Sequence, residues 1–200
     1  MQDTVKVKAP ATSANIGPGF DCLGMALDFW NEVHVSLGPP SFTITGEGEK
    51  TLHLGQKNLV YKSFCLPFRE SGQSVPDVSM SCHNTIPLGR GLGSSSAAIV
   101  AGLLAGNALC ERPLSQEQIL QLAVQVEGHP DNVAATLLGG CQVVVSDEDR
   151  LITASVPLPP ELKAVIYIPD FPMPTERARQ LLPDQVSRED AVYNLGRVAL

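Results

Sequence analysis

Residues 87–98 constrain this chain more than any others. Pro87-Leu88-Gly89-Arg90-Gly91-Leu92-Gly93-Ser94-Ser95-Ser96-Ala97-Ala98 sets three glycines within five residues against three serines and a run of small apolar residues. Glycine lets the backbone take positive φ and approach a ligand where a Cβ would collide. The stretch Ser96 to Cys110, rich in Ala and Leu, reads as a buried helix. A helix starting at the serines aims its unpaired N–H groups, and the positive end of its dipole, at whatever fills the loop. The run therefore predicts a phosphate site. Serine is also an ordinary N-cap, and glycine-rich turns occur without ligands; it is the combination that argues for an anion. Two common phosphate motifs fail on spacing. Gly-x4-Gly-Lys-Ser/Thr needs a lysine before the hydroxyl, and in Gly-x-Gly-x-x-Gly the third glycine would fall at Ser94 or Ser96.

The chain has 200 residues and a formal net charge of -7, enough length to bury a sizeable core and the wrong sign for non-specific nucleic acid binding. The longest apolar stretch, Ala97 to Gly106, is too short to span a bilayer, and the first residues lack the apolar core of a signal peptide. No membrane or nucleic acid partner is expected, and the expected compartment is the cytosol. Cys22, Cys65, Cys82, Cys110 and Cys141 are odd in number and form no Cys-x-x-Cys pair, so neither a disulfide framework nor a zinc site is indicated.

Alternating patterns predict strands at 5–8, 32–37 and 77–82, and later at 143–146 and 163–168. Helices are predicted over 58–70, 96–110, 115–127 and 131–138. Ser115-Gln116-Glu117-Gln118 offers a capping box at the start of the third, and Gly139-Gly140 ends the fourth. Pro157-Leu158-Pro159-Pro160 reads as a linker or edge turn. Hairpins mixed with helices favour an α+β two-layer domain over a doubly wound parallel sheet.

The loop resembles that of the GHMP kinases, Pro-x3-Gly-Leu-Gly-Ser-Ser-Ala, with one extra serine. Two further segments resemble the homoserine kinases within that superfamily: Lys8-Ala9-Pro10-Ala11-Thr12-Ser13-Ala14-Asn15-Ile16-Gly17-Pro18-Gly19-Phe20-Asp21-Cys22-Leu23-Gly24 and Glu127-Gly128-His129-Pro130-Asp131-Asn132-Val133-Ala134. Pro174-Thr175 and Arg179 extend the likeness. The resemblance implies a ribosomal protein S5 domain 2-like N-terminal domain with a left-handed crossover, over 1–158, then the beginning of an incomplete ferredoxin-like C-terminal domain over 159–200. Family members run about a hundred residues longer, the size of a second domain, and their late glycine-rich loop has no counterpart here. A homodimer is a family expectation.

The resemblance also implies roles. ATP would be held by Asn58 at the base and by Pro87, Gly89, Arg90, Gly91, Leu92, Gly93, Ser94, Ser95 and Ser96 along the phosphates. Ser95 and Glu127 would hold Mg2+. A helix terminus supplies at most ~2 kcal/mol to a bound charge, whereas kinase-scale acceleration needs on the order of 8 kcal/mol or more, so a metal ion must carry part of the stabilisation. For L-homoserine, Asp21 would take the ammonium, Arg179 the carboxylate, and Asn15 and Asn132 would aim the hydroxyl, with His129 helping to shape the site and Thr175 approaching the phosphates or the substrate. Asp131 is the candidate charged partner near that hydroxyl, whereas His129 is read as a packed, hydrogen-bonded residue and not as a base. Taken singly, Asn15 and Asp21 could be Asx-turn residues, Glu127 and Arg179 solvated charges, and Asp131 a helix cap. The competing functions are a GHMP kinase for another small alcohol such as mevalonate, and a catalytically incomplete nucleotide-binding or regulatory relative.

Overall fold

In β1 (Thr4–Ala14), Val5, Val7, Ala9 and Ala11 are buried while Lys6 and Lys8 point outward, the period-two pattern of a half-buried strand. β2 (Leu23–Leu37) runs antiparallel to it from Thr4↔Ser36 to Ala14↔Gly24, with a register shift between Pro10 and Ala11. Proline has no N–H for the ladder, so a bulge there fits its chemistry. The computed structural model describes residues 3–148, 150–171 and 175–199.

The other edge of β2 is shared. β4 (Val78–Asn84) pairs with Glu32–Leu37, and β5 (Cys141–Asp147) pairs with Leu23–Met25, both antiparallel. β3 (Ser41–Gly46) lies parallel to β4, and β6 (Arg150–Val156) forms a hairpin with β5. The six-stranded sheet has the order β3-β4-β2-β5-β6, with β1 on β2.

Helices cover one face: α1 (Leu59–Glu70), α2 (Ser94–Leu109), α3 (Gln116–Glu127) and α4 (Pro130–Leu138). Val7, Val33, Val35 and Met80 from the sheet pack with Phe64, Ile86, Ala97 and Ala101. A second cluster, with Leu103, Ile119, Ala123 and Val133, joins α2 to α3 and α4. On the open face Glu32 takes Lys6 and Lys8 at 2.8 Å each. The architecture is a mixed α+β fold. No helix among the described residues is long and apolar enough to cross a membrane.

Local chemistry sets the helix starts. Asn58 Oδ1 accepts the Val60 N–H at 2.8 Å, and Ser115 and Gln118 form the predicted capping box. α2 starts at Ser94, earlier than the predicted residue 96, because Gly93 adopts a left-handed φ of 66° and serves as N-cap. The strand predicted at 163–168 is absent. Those residues pair with no described strand, and Val165 and Tyr167 are 98% and 89% exposed; apolar alternation without a neighbouring ladder does not make a strand. β3, β6, α5 (Thr175–Arg179) and α6 (Arg188–Ala199) were not anticipated. α6 buries no residue, so it leaves little apolar signal to read.

α1 crosses α2 at Gly102, where a Cβ would stand 2.3 Å from the Val60 carbonyl oxygen and 2.8 Å from Ser63 Cβ. In an open helix Gly→Ala gains about 1 kcal/mol, but overpacking costs about 1–3 kcal/mol, so the crossing decides the sign. Gly102→Ala is expected to lower the urea midpoint; an unchanged or higher midpoint would contradict so close a contact.

Candidate active site

A cleft of about 530 Å³ opens at the N-terminus of α2. Its floor is the glycine-rich loop, in which Gly89, Gly91 and Gly93 have φ of 63°, 70° and 66°, the left-handed region that favours glycine. Gly93 cannot cap α2 with a side chain, and the first turn carries no acid. The N–H groups of Ser94, Ser95 and Ser96 precede the first helical bond, from Ala97 N–H to the Gly93 carbonyl at 2.9 Å. They form the electropositive end facing the cleft.

The loop is anchored on both sides. Asn31, 5% exposed in the middle of β2, accepts the N–H groups of Thr85 and Ile86 on Oδ1 at 2.8 and 3.0 Å. Thr12 donates its N–H to the Leu92 carbonyl at 3.1 Å. Neither residue stood among the predicted site residues, although a buried amide or hydroxyl inside an apolar strand must find a partner and is in itself a signal.

The elbow between α3 and α4 makes the second wall. Glu127 ends α3, Gly128 turns the chain at a φ of 89°, and His129 is the extended N-cap of α4 with Pro130 behind it. Glu127 Oε1 accepts both serine hydroxyls, Ser95 at 2.5 Å and Ser96 at 2.9 Å. Ser96 is itself buried, so its hydroxyl is committed to this contact. His129 Nε2 stands 3.9 Å from the same carboxylate oxygen. On its other side His129 Nδ1 lies 2.7 Å from Oδ1 of Asp131, which also accepts the Asn132 N–H at 2.8 Å. This contact raises the imidazole above its ordinary range, against the opposing effect of burial. Burial alone would push the Asp131 carboxyl up, but the His129 and Asn132 donors outweigh it and hold it low. Asp131 is fully buried, and its Oδ2 has no hydrogen-bond partner among the described residues.

The third wall carries charge. Arg179, at the end of α5, donates to both oxygens of Asp21, with Nη1 to Oδ2 at 2.9 Å, and lies over the Phe20 ring with its guanidinium carbon 5.4 Å from the centroid. The Asp21 carboxylate pushes the guanidinium further up. Asn15 and Asp21 both take positive φ, 58° and 56°, and Asn15 Oδ1 accepts the Asp21 N–H at 2.8 Å, so one turn aims both side chains. Thr175, at the first turn of α5, lines the cleft with Asn15, His129, Asn132 and Arg179. Pro174 lies outside the described residues.

Three ATP-site predictions need separate comment. Arg90 lines the cleft, but its guanidinium donates to the carbonyls of Pro169 and Asp170. Asn58 lines a second cavity of about 340 Å³ with Ile44, Leu52, Val60 and Leu88. Its amide is engaged at both ends, since Nδ2 also donates to the His53 carbonyl at 2.7 Å. Pro87 lies in the lining of neither cavity. The two cavities share Gly89, Ser94 and Ser95, so an apolar recess leads onto the glycine-rich loop.

The GHMP kinases N terminal domain matches residues 58–140. A homoserine kinase of Desulfitobacterium hafniense is 48% identical over 98% of this chain and 66% of its own length. One from Picosynechococcus is 42% identical over 98% of this chain and 67% of its own. The crystal structure of a homoserine kinase from Cytophaga hutchinsonii superposes with a TM-score of 0.81 at 33% identity, over 100% of this chain and 66% of that one. The chain thus spans about two thirds of the relatives it matches. Similarity of this extent makes the chain a member of the homoserine kinase family of GHMP kinases.

Proposed function

We propose that the chain carries the nucleotide and amino-acid sites of a kinase that moves the γ-phosphoryl group of Mg-ATP to the side-chain hydroxyl of L-homoserine, releasing ADP and O-phospho-L-homoserine. The observation that carries this reading is that two unlike constellations share one cleft. One is a helix N-terminus without a side-chain cap, with Ser95 and Glu127 in the lining, and the other is Arg179, which lines the cleft and pairs with Asp21. The names of the similar proteins supply the substrate.

The apolar recess beside Leu52 and Leu88 suits an adenine ring, and its continuity with Gly89 and Ser94 lets a triphosphate run over the loop. Asn58 is anchored by one Nδ2 N–H on His53 and by Oδ1 on Val60, which leaves its second N–H for the edge of the base. Ser95 and Glu127 offer oxygen donors alone, which suits a small hard cation such as Mg2+. Bound there, the ion would offset charge on the phosphate oxygens. The N–H groups of α2 receive phosphate oxygens, Asn132 and Thr175 aim the acceptor hydroxyl, and Asp131 holds His129 and Asn132 in place. As the new O–P bond forms, the bond to ADP breaks and the hydroxyl proton passes to a phosphate oxygen or water. A loose phosphoryl transition state depends mainly on such positioning and charge stabilisation.

The Asp21–Arg179 pair gives the substrate preference its physical basis. Its side chains are 35% and 36% exposed, and solvated pairs contribute about 0–1 kcal/mol. Hydrogen bonds to charged groups contribute about 1.5–3 kcal/mol each. An amino-acid zwitterion therefore exchanges one weak internal pair for two external ones, whereas a ligand with one charge strands a partner. That disfavours mevalonate or a sugar as the acceptor.

We also infer a division near residue 158, between an S5 domain 2-like unit and the start of a ferredoxin-like one. In support, β6 ends at Val156 and no helix or strand intervenes among the described residues before α5.

The direct test is ADP release from Mg-ATP by this chain with L-homoserine, L-threonine, mevalonate and galactose. Turnover with homoserine alone is expected; turnover with mevalonate would point to another alcohol, and nucleotide binding without turnover to a regulatory relative. Asp21→Asn should raise the KM for homoserine about tenfold or more and leave that for ATP within about twofold. Equal changes would remove Asp21 from the ammonium role. Glu127→Gln should cut turnover about 10–100-fold and raise the Mg2+ requirement, with an unaltered circular dichroism spectrum; an unaltered Mg2+ dependence would remove Glu127 from the metal.

A further inference from the structure

We infer that Thr12 is a positioning residue that locks the phosphate loop and the Asn132 amide into one arrangement. Its importance for phosphoryl transfer rests on the function proposed above.

Thr12 sits in β1 with no exposed surface, yet it uses both of its donors outside the β1–β2 ladder. Its N–H reaches the Leu92 carbonyl at 3.1 Å, which sews the end of the glycine-rich loop to the free edge of the strand. Its hydroxyl donates to Asn132 Oδ1 at 2.7 Å, 120 residues away in sequence. Gly93 completes the junction. A Cβ there would lie 1.9 Å from Thr12 Oγ1 and 3.3 Å from Asn132 Oδ1, so the absence of a side chain admits the hydroxyl. The N-cap of α2, the first turn of α4 and β1 therefore meet at one hydroxyl.

The consequence is chemical. With Oδ1 accepting from Thr12 and Nδ2 donating to Asp131 Oδ1 at 3.3 Å, the Asn132 amide has one defined orientation at the cleft wall. A reversed amide would set its oxygen against the Asp131 carboxylate and its N–H groups against the Thr12 hydroxyl. Thr12 is not part of the cleft lining and acts through Asn132 and Leu92.

Two variants separate this role from simple packing. Thr12→Val keeps the shape and removes the hydroxyl, and Thr12→Ser keeps the hydroxyl and removes the methyl. The readouts are the side-chain amide resonances of Asn132 in the 15N-labelled chain, assigned by their loss in Asn132→Asp, and Mg-ADP affinity by calorimetry. In Thr12→Val the Asn132 resonances are expected to move and Mg-ADP affinity to fall about fivefold, the loss of one hydrogen bond of ~1 kcal/mol. Thr12→Ser is expected to restore both. The inference is overturned if the resonances of Thr12→Val coincide with those of the parent and its affinity stays within about twofold, or if Thr12→Ser behaves no better than Thr12→Val. Should the parent chain bind no Mg-ADP, the kinase reading fails, while the Asn132 resonances still decide whether Thr12 holds that amide.

Discussion

A helix without a solvent face has to be surrounded, and the rest of the chain is arranged to surround α2. From Ser96 to Gly106 its residues are apolar or small on every side, a pattern that is stable only when buried all round. The sheet takes one side through Ala97 and Ala101, α1 crosses at Gly102, and α3 and α4 close the remainder through Leu103, Ile119 and Val133. Such burial fixes the axis and leaves one end free. That end is the N-terminus, where three N–H groups have no helical partner. Packing energy thereby holds an electropositive helix terminus in a constant place, although no side chain of the first turn contributes a cation.

Charge in the cleft is balanced locally. Glu127 is held by two hydroxyls, Asp131 by His129 and a backbone N–H, and Asp21 by Arg179. The three differ in how much they have lost to burial. Asp131 is fully buried, so breaking its contacts would leave a charge without solvent, and its natural part is to hold its neighbours. Asp21 and Arg179 remain about a third exposed and can separate at little cost. Glu127 lies between these extremes, bound by hydroxyls that can turn toward another ligand. The gradient from fixed to exchangeable runs from the elbow of α3 and α4 outward to α5.

The sequence disclosed what repeats along the chain and concealed what depends on distant partners. Alternation in β1, the capping box at Ser115 and the helix start at the serines each lie within a few residues, and each is present in the structure, with β1 longer and α2 beginning two residues earlier than the local pattern predicts. The Asn58 amide reads as a contact for a base, and the structure adds what that reading lacks, its anchoring on Val60 and His53. Residues 163–168 carry strand-like alternation with no strand beside them, and hydrogen bonding to a neighbour, which no local pattern encodes, decides that outcome. Thr12 and Asn31 were missed as site residues for the same reason. Their partners lie in loops and helices far along the chain, and only the cost of burying a lone polar group hints that partners exist.

The central claim is that the terminus of α2 and Glu127 together make a metal-dependent nucleotide site. Titration of a non-hydrolysable ATP analogue into this chain, once with Mg2+ and once with chelator, tests it without relying on turnover. Saturable one-to-one binding that weakens about tenfold or more when Mg2+ is withdrawn, a change of ~1.4 kcal/mol, is the expected result. Binding that is absent, or equal under both conditions, would contradict the account.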